Sequence, residues 1–282
     1  MVSQTTTSSA KAWRPDLNVF AAADVLPDAA ILTTSTVAGQ IEGDAPSVRV
    51  AYVSDDTAAF VAEGAEIPEG DPTLSEALIY TRKISQLIRI SREQYRQQGT
   101  AEQLAQSVGR ALIRKGDNAY LVQPAPTAPD VAPVAGLVNT TGLENGDEIS
   151  GSLDALVDLV AGLQANGANP SHIVIDPIGW AEVRKLKTAT GSNQSLVGAG
   201  VTDAALQLLG LPVVVNREMP TLTGLVIDST AVVSAVGPVE IATSEEQYFS
   251  SDSVAVRATW RTGHTVPRTN RLGKFTVADP TA

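Results

Sequence analysis

SREQYRQQGTAEQLAQSVGRALIRKGDNAYLV, residues Ser91 to Val122, decides the reading of the fold, because it holds the one long helical period in the chain. Ser91 stands three residues before Gln94, the spacing at which a hydroxyl and a side-chain amide satisfy each other's backbone N–H groups at a helix start. Gly99 ends that short first helix, and Thr100 with Gln103 repeats the start signal. Ala101, Leu104, Ala105, Val108, Ala111, Leu112, Ala119 and Tyr120 then recur at steps of three and four, so they share one stripe of a helix. About 20 residues at roughly 1.5 Å each make a rod of about 30 Å, long enough to buttress a sheet along its edge.

On the N-terminal side of this rod the chain reads as extended over residues 38–90. Val48, Val50 and Tyr52 alternate with Arg49 and Ala51, the two-residue period of a half-exposed strand. Ala58, Phe60 and Ala62 make a second alternating run, and the Gly and Pro residues of Glu63 to Thr73 (EGAEIPEGDPT) punctuate a loop. Leu74 to Ile90 returns as strand, with Leu78, Tyr80, Ile84, Ile88 and Ile90 on one parity. Such a two-stranded excursion buries too little to be stable alone, so it needs a partner surface on its own subunit or the next. Residues 1–37 are Thr- and Ser-rich at first, with Trp13, Val19 and Phe20 as sparse apolar points. The expectation there is a segment that stays disordered or lies across a neighbour as an arm.

On the C-terminal side, Gln123 to Pro133 (QPAPTAPDVAP) is a proline-stiffened connector. Residues 150–187 read as helix, strand, helix: Ser152 caps Leu153, Leu156, Val157, Val160 and Leu163, Gly167 ends that helix, His172–Ile175 is a strand, and Pro177 opens a helix bearing Trp180, Val183 and Leu186. Residues 190–200 (TGSNQSLVGAG) form a loop. Val213–Val215, Leu225–Ile227, Val232–Val236, Val239–Ile241, Val254–Trp260 and Phe275–Val277 are short strands. The class is α+β, with the main helix flanked by sheets.

Composition narrows the chemistry. The 282 residues suffice for a substantial core, aromatics make up only 4%, and the absence of cysteine excludes disulfides, thiolate catalysis and cysteine-ligated metals. No apolar run approaches membrane-spanning length and no signal-peptide pattern opens the chain, so a soluble protein made in a cytoplasm is expected. The net charge of −11 falls in blocks: −9 over residues 1–81, +5 over 82–123, −11 over 124–252 and +4 over 253–282. Acidic and basic blocks in one chain suit copies that lean on one another. An acidic chain is a poor general nucleic-acid binder.

A search for catalysis finds no setting for it. The two histidines, His172 in a strand and His264 in a basic turn, have no nucleophile or orienting group by sequence, and no G-x-S-x-G elbow occurs. Gly198-Ala-Gly200 starts like a dinucleotide loop, but Asp203 stands where the third glycine belongs. No metal-ligand spacing is present, and no cofactor is implied. Glu63, Glu66, Glu69 and Asp71 could serve a hydrolase only with an apolar pocket to raise a pKa, and their Pro/Gly-flanked loop supplies none, so they read as solvated or interface carboxylates. Arg257, Arg261, Arg268, Arg271 and Lys274 form a C-terminal cationic run, read as an exposed strand face, as a contact with an acidic segment of another copy, or as a contact with packaged nucleic acid.

The order of parts resembles a known family. AAFVAEGAEIPEGDPTLSEALIYTRKISQLIRIS (residues 58–91) looks like the extended loop of tailed-phage major capsid proteins of the Hong Kong 97 type: Phe60-Val61-Ala62-Glu63, the acidic tip Ile67-Pro68-Glu69, Lys83 in the returning strand, and Ile90-Ser91 at the helix entry. Residues 100–121 resemble that family's spine helix, ending in Asp117, Ala119 and Leu121. Pro133 to Leu137, Asp176-Pro177 with Trp180, Lys185 and Lys187, Gly210 to Val213, Val256-Arg257 and Arg261 to Gly263 are similar to its later turns and strands. The likeness spans about residues 38–278.

The resemblance implies a Hong Kong 97-like capsid fold: N-terminal arm 1–37, extended β-hairpin loop 38–82, peripheral domain 83–149 and 236–282 with a spine helix over about 100–121, and axial domain 150–235. It implies no catalytic activity and no cofactor. The implied function is a major capsid protein that self-assembles as hexamers and pentamers into an icosahedral shell around double-stranded DNA, with an encapsulin-type compartment as the alternative. Implied partners are further copies of the chain, a portal, a separate scaffold or cement protein, and DNA held without sequence specificity, with no membrane. Its place is the virion capsid, assembled in the host cytoplasm. The residues expected at contacts between subunits are Glu63, Glu66, Glu69, Asp71, Arg89, Arg92, Arg96, Arg257, Arg261, Arg268 and Arg271. Some relatives weld subunits through a loop lysine, but none lies between Lys11 and Lys83, so no weld is expected at the loop tip.

Overall fold

The structure, a computed structural model, describes residues 17–41, 43–53, 60–61, 74–97, 100–189, 192–197 and 206–279. In chain order the first half runs β1 (Leu17–Phe20), α1 (Ala22–Val25), α2 (Ala30–Thr34), β2 (Thr36–Gln40), β3 (Ser47–Val53), β4 (Leu74–Tyr80), β5 (Arg82–Ser91), α3 (Arg92–Tyr95) and α4 (Thr100–Val122). The second half runs β6 (Glu144–Asn145), α5 (Asp154–Ala165), β7 (His172–Ile175), α6 (Pro177–Lys185), β8 (Gln207–Leu208), β9 (Leu211–Val215), β10 (Thr223–Ile227), β11 (Val233–Tyr248), β12 (Ser253–Thr265) and β13 (Gly273–Thr276). One sheet has the order β1-β11-β12-β5 with β2 also on β11, the second has the order β6-β13-β10-β7-β9-β8, and among the described residues β3 and β4 pair only with each other.

The helical period sets how α4 sits. Val108, Leu112, Tyr120 and Leu121 are buried on it, and they share a core with Val239, Ala258 and Trp260 of the first sheet and with half-buried Ile84 and Ile88. Gly116 lets the Trp260 ring lie against the helix, since a Cβ there would meet that ring. Ala105 is exposed, so the inward stripe runs from Val108 onward. The Ser91 cap is present: its hydroxyl accepts from the Gln94 N–H at 3.3 Å.

The second sheet is apolar on both faces at its centre, as a parallel β7–β9 pair covered on both sides requires. Leu225 and Ile227 of β10 face the α4 core, while Val226 faces a second core with Ile173, Ile175, Leu156, Leu163, Trp180 and Phe275. Asp176 caps α6, accepting from the N–H groups of Ile178 and Gly179 at 3.0 Å each, and Pro177 fills the first turn. Such a cap contributes about 1 kcal/mol. Gly167, with φ +76°, ends the chain's turn out of α5 as its position predicts.

Several expectations are corrected. From Leu17 onward the N-terminal segment is woven into the chain's own fold: β1 pairs with β11, and Leu26, Ala29, Ala30 and Ile31 are fully buried in the α4 core. Ala22, Ala29 and Ala30 pack there with Leu26 and Ile31, small and branched side chains that fit closely beside α4. Leu74 to Ile90 is two strands, not one. At Thr81 the buried parity changes, from Ala77 and Ile79 in β4 to Ile84, Ile88 and Ile90 in β5, while Leu78 is exposed. Val232–Val236 and Val239–Ile241 are parts of one strand, β11, whose register shifts around Gly237-Pro238. That bulge is how a proline is tolerated inside a paired strand. His264 lies within β12 and is buried, not in a turn. Ser152 bonds to Asp154 N–H one residue ahead of the α5 cap position, which is Leu153.

Candidate assembly interface

The β3–β4 ribbon leaves the first sheet at one fastened point. Thr81, buried between β4 and β5, donates its N–H to the Pro46 carbonyl at 2.9 Å and its hydroxyl to the Ala45 carbonyl at 2.6 Å. Arg261 of β12 reaches the same place, its Nη1 donating to the Thr81 hydroxyl at 2.9 Å and lying 3.4 Å from the Ala45 and Thr81 carbonyls. Asp44 accepts from Lys83 at 2.7 Å and sits 3.5 Å from Arg261 Nε. The hydrogen bond from Lys83, helped by Arg261, holds the Asp44 carboxyl below the usual carboxylate range. Gly263 permits this closeness, because a Cβ there would strike the Tyr80 carbonyl oxygen.

Above the clasp the ribbon has two faces. Ile79 is buried against Ile41 and Ala235, with Val48 and Val50 packed on them. The other face, Arg49, Ala51, Glu76 and Leu78, is exposed, with an Arg49–Glu76 ion pair at 3.4 Å. A solvent-exposed pair of that kind contributes at most about 1 kcal/mol. The partner surface that the ribbon needs is therefore supplied for its inner face by its own subunit. Phe60 is fully exposed, and Val61 beside it is also exposed.

Helix α4 carries a second polar node. Asp117 accepts from the Ala30 N–H at 2.8 Å and from the Asn216 amide at 2.7 Å, so it ties the N-terminal segment and the β9 exit to one helix. Burial pushes its pKa up. Tyr120 shares a hydrogen bond with Thr34 at 3.1 Å and packs edge-on against His264 at 5.0 Å, and His264 Nε2 lies 3.0 Å from the Ala135 carbonyl. Burial pushes His264 down to about 4. One turn away, Glu218 is met by Arg114 at 2.9 Å and Arg217 at 3.2 Å. Burial alone would raise its pKa, but the two guanidiniums outweigh that and lower it.

The residues expected at subunit contacts fall into three groups. Glu63, Glu66, Glu69 and Asp71 lie outside the described residues. Arg92 and Arg261 are engaged within the chain, Arg92 with Asp252 at 3.0 Å and Glu245 at 3.6 Å, and Arg261 at the ribbon clasp. Arg268 and Arg271 are half-buried beside β13, away from Arg257, so the C-terminal cations are not one face. Arg89, Arg96 and Arg257 are exposed, and the Arg89 guanidinium lies 4.9 Å from the Tyr248 ring centre. Thr81 and Asp44 were absent from the expectation. The parity change at Thr81 was the available signal for them.

Comparison with known proteins matches this architecture. The phage capsid family model matches residues 32–277, and the chain belongs to that family. Among solved structures, the capsid of a native GTA particle is 18% identical, with a TM-score of 0.66, over 99% of this chain and 96% of that one. A structure from Mycobacterium phage Bobi is 15% identical, with a TM-score of 0.64, over 88% and 90%. One from Microbacterium phage Oxtober96 is 14% identical, with a TM-score of 0.66, over 99% and 96%. No curated protein matches the chain.

Proposed function

We propose that this chain is the major capsid protein of a tailed bacteriophage, assembling as hexamers and pentamers into an icosahedral shell around double-stranded DNA. The observation that carries the reading is the β3–β4 ribbon of a phage capsid family member, clasped at Thr81 and exposed at Arg49, Ala51, Glu76 and Leu78 on its outer face. Two paired strands are marginal alone, and an apolar side chain as bare as Phe60 gains by meeting another copy. In this reading residues 38–82 are the extended loop, 83–149 and 236–282 the peripheral domain with α4 as spine helix, and 150–235 the axial domain. Residues 1–37 are the N-terminal segment, bound into the fold from Leu17 on. The role is structural and not catalytic. Partners are further copies, a portal, a separate scaffold or cement protein and DNA, and assembly takes place in the host cytoplasm.

Negative-stain microscopy of the purified full chain tests this. Particles of uniform size are expected, and dispersed monomers at every concentration would overturn the reading. Nuclease-protected DNA inside particles separates a virion shell from an encapsulin-type compartment, which would hold an enzyme instead. Boiling the particles in detergent should release single chains, because no loop lysine is available for a weld between Lys11 and Lys83.

A further inference from the structure

The far end of the β11–β12 hairpin is held rigid yet presents a bare aromatic. Arg92 grips it from α3, donating its backbone N–H to the Asp252 carbonyl at 3.0 Å and pairing its guanidinium with the Asp252 carboxylate, 3.0 Å from Nε. Its Nη1 lies 3.6 Å from Glu245. Ser251 Oγ donates to the Tyr248 carbonyl at 3.2 Å, and Ser253 Oγ to the Ser251 carbonyl at 2.9 Å. The Arg89 guanidinium covers the Tyr248 ring. Within this frame Phe249 is 83% exposed, with acidic Glu245 and Glu246 beside it in sequence and both exposed. A hairpin end whose backbone is already held loses little conformational freedom on contact, which favours one side chain there dominating an interface.

The complementary surface lies on the same chain. On the face of β5 and β12 turned away from α4, Leu87 is 51% exposed and stands directly across from Arg257. Arg257 is exposed and has no partner among the described residues. One patch thus sets Leu87 across from Arg257, and the other carries Phe249 three residues after exposed Glu246, with Glu245 taken up by Arg92. Arg89, against Tyr248, joins the two. A surface with both halves side by side is self-complementary under a twofold rotation, so each copy gives and receives the same contact.

We propose that the Phe249 tip docks on Leu87 of a second copy, with Glu246 facing Arg257, in a twofold pairing made twice per contact. This rests on the shell-protein reading for its biological setting. Because the chain has no cysteine, mixing full-length F249C with full-length L87C and adding a thiol-specific bifunctional reagent is a clean test. A two-chain band from the mixture is expected. Arg257→Glu and Glu246→Lys should each raise the concentration needed for association about tenfold or more, and the double variant should restore it. Thermal unfolding of every variant should match the parent, because these side chains are exposed. Particles that form normally without the cross-link would overturn the pairing and leave the shell reading standing. Cross-linking of L87C to E66C instead would give this face to the ribbon loop and also overturn it. A parent chain that stays monomeric would overturn both.

Discussion

Arg261 of β12 and Thr81, 180 positions apart, are joined by a 2.9 Å hydrogen bond that closes the root of the β3–β4 ribbon onto the first sheet. Thr81 is buried, and the guanidinium donates to the same hydroxyl that in turn donates to the Ala45 carbonyl. A side chain with several donors in a fixed fork suits this place better than an ammonium.

Arg261→Ala is therefore expected to destabilise the chain by about 1.5–3 kcal/mol, the range for hydrogen bonds from a charged group. Amide exchange over Ser47–Val53 and Leu74–Tyr80 should quicken while that of β10 does not change. Arg261→Lys should recover only part of the loss. Denaturant unfolding and hydrogen exchange measure both effects.

Gly116 and Gly109 lie two turns apart on α4 and predict opposite outcomes. A Cβ at Gly116 meets the Trp260 ring, so Gly116→Ala is expected to cost about 1–3 kcal/mol by overpacking. Nothing lies within 4 Å of a Cβ at Gly109, so Gly109→Ala should gain up to about 1 kcal/mol from helix propensity. Paired thermal melts test the two together.

Asp117→Ala removes the acceptor for the buried Ala30 N–H and for the Asn216 amide. A loss of about 1–3 kcal/mol is expected from the donors left unpaired. Protease sensitivity should rise first around residues 22–34, because this carboxylate is their polar anchor to α4.

His264 makes stability depend on pH with a definite sign. Its folded pKa, about 4, lies below the ordinary value of 6.5, so the unfolded chain binds the proton more readily between them. Its contribution is complete above about pH 6.5 and is lost as pH falls toward about 4, by on the order of 3 kcal/mol. Asp117 acts in the opposite sense, since its raised pKa lowers stability as pH rises past the ordinary carboxylate value. His264→Phe keeps an aromatic against Tyr120 and removes the titration. The difference between its stability–pH curve and the parent's should be flat above pH 6.5 and slope below it.

The helix over Thr100–Val122, the Ser91 cap of the short helix before it, the Asp176-Pro177 start of α6 and the strands of the last third were legible because each is encoded within a few residues: a period of three and four, a capping side chain, an alternation. The family likeness was legible from the order of those parts. What remained hidden depends on partners far along the chain. No local pattern assigns Leu26 and Ile31 to a core beside α4, because the groove that receives them is built by residues about ninety positions later. The change of buried face at Thr81 follows from Arg261 and Ala45 pinning it, and β11 runs unbroken through Pro238 only because its neighbour accommodates a bulge. The grouping of cations was misjudged for the same reason: Arg257 and Arg261 share a face of β12, but the root of the β3–β4 ribbon covers Arg261 while Arg257 stays in solvent beside Leu87.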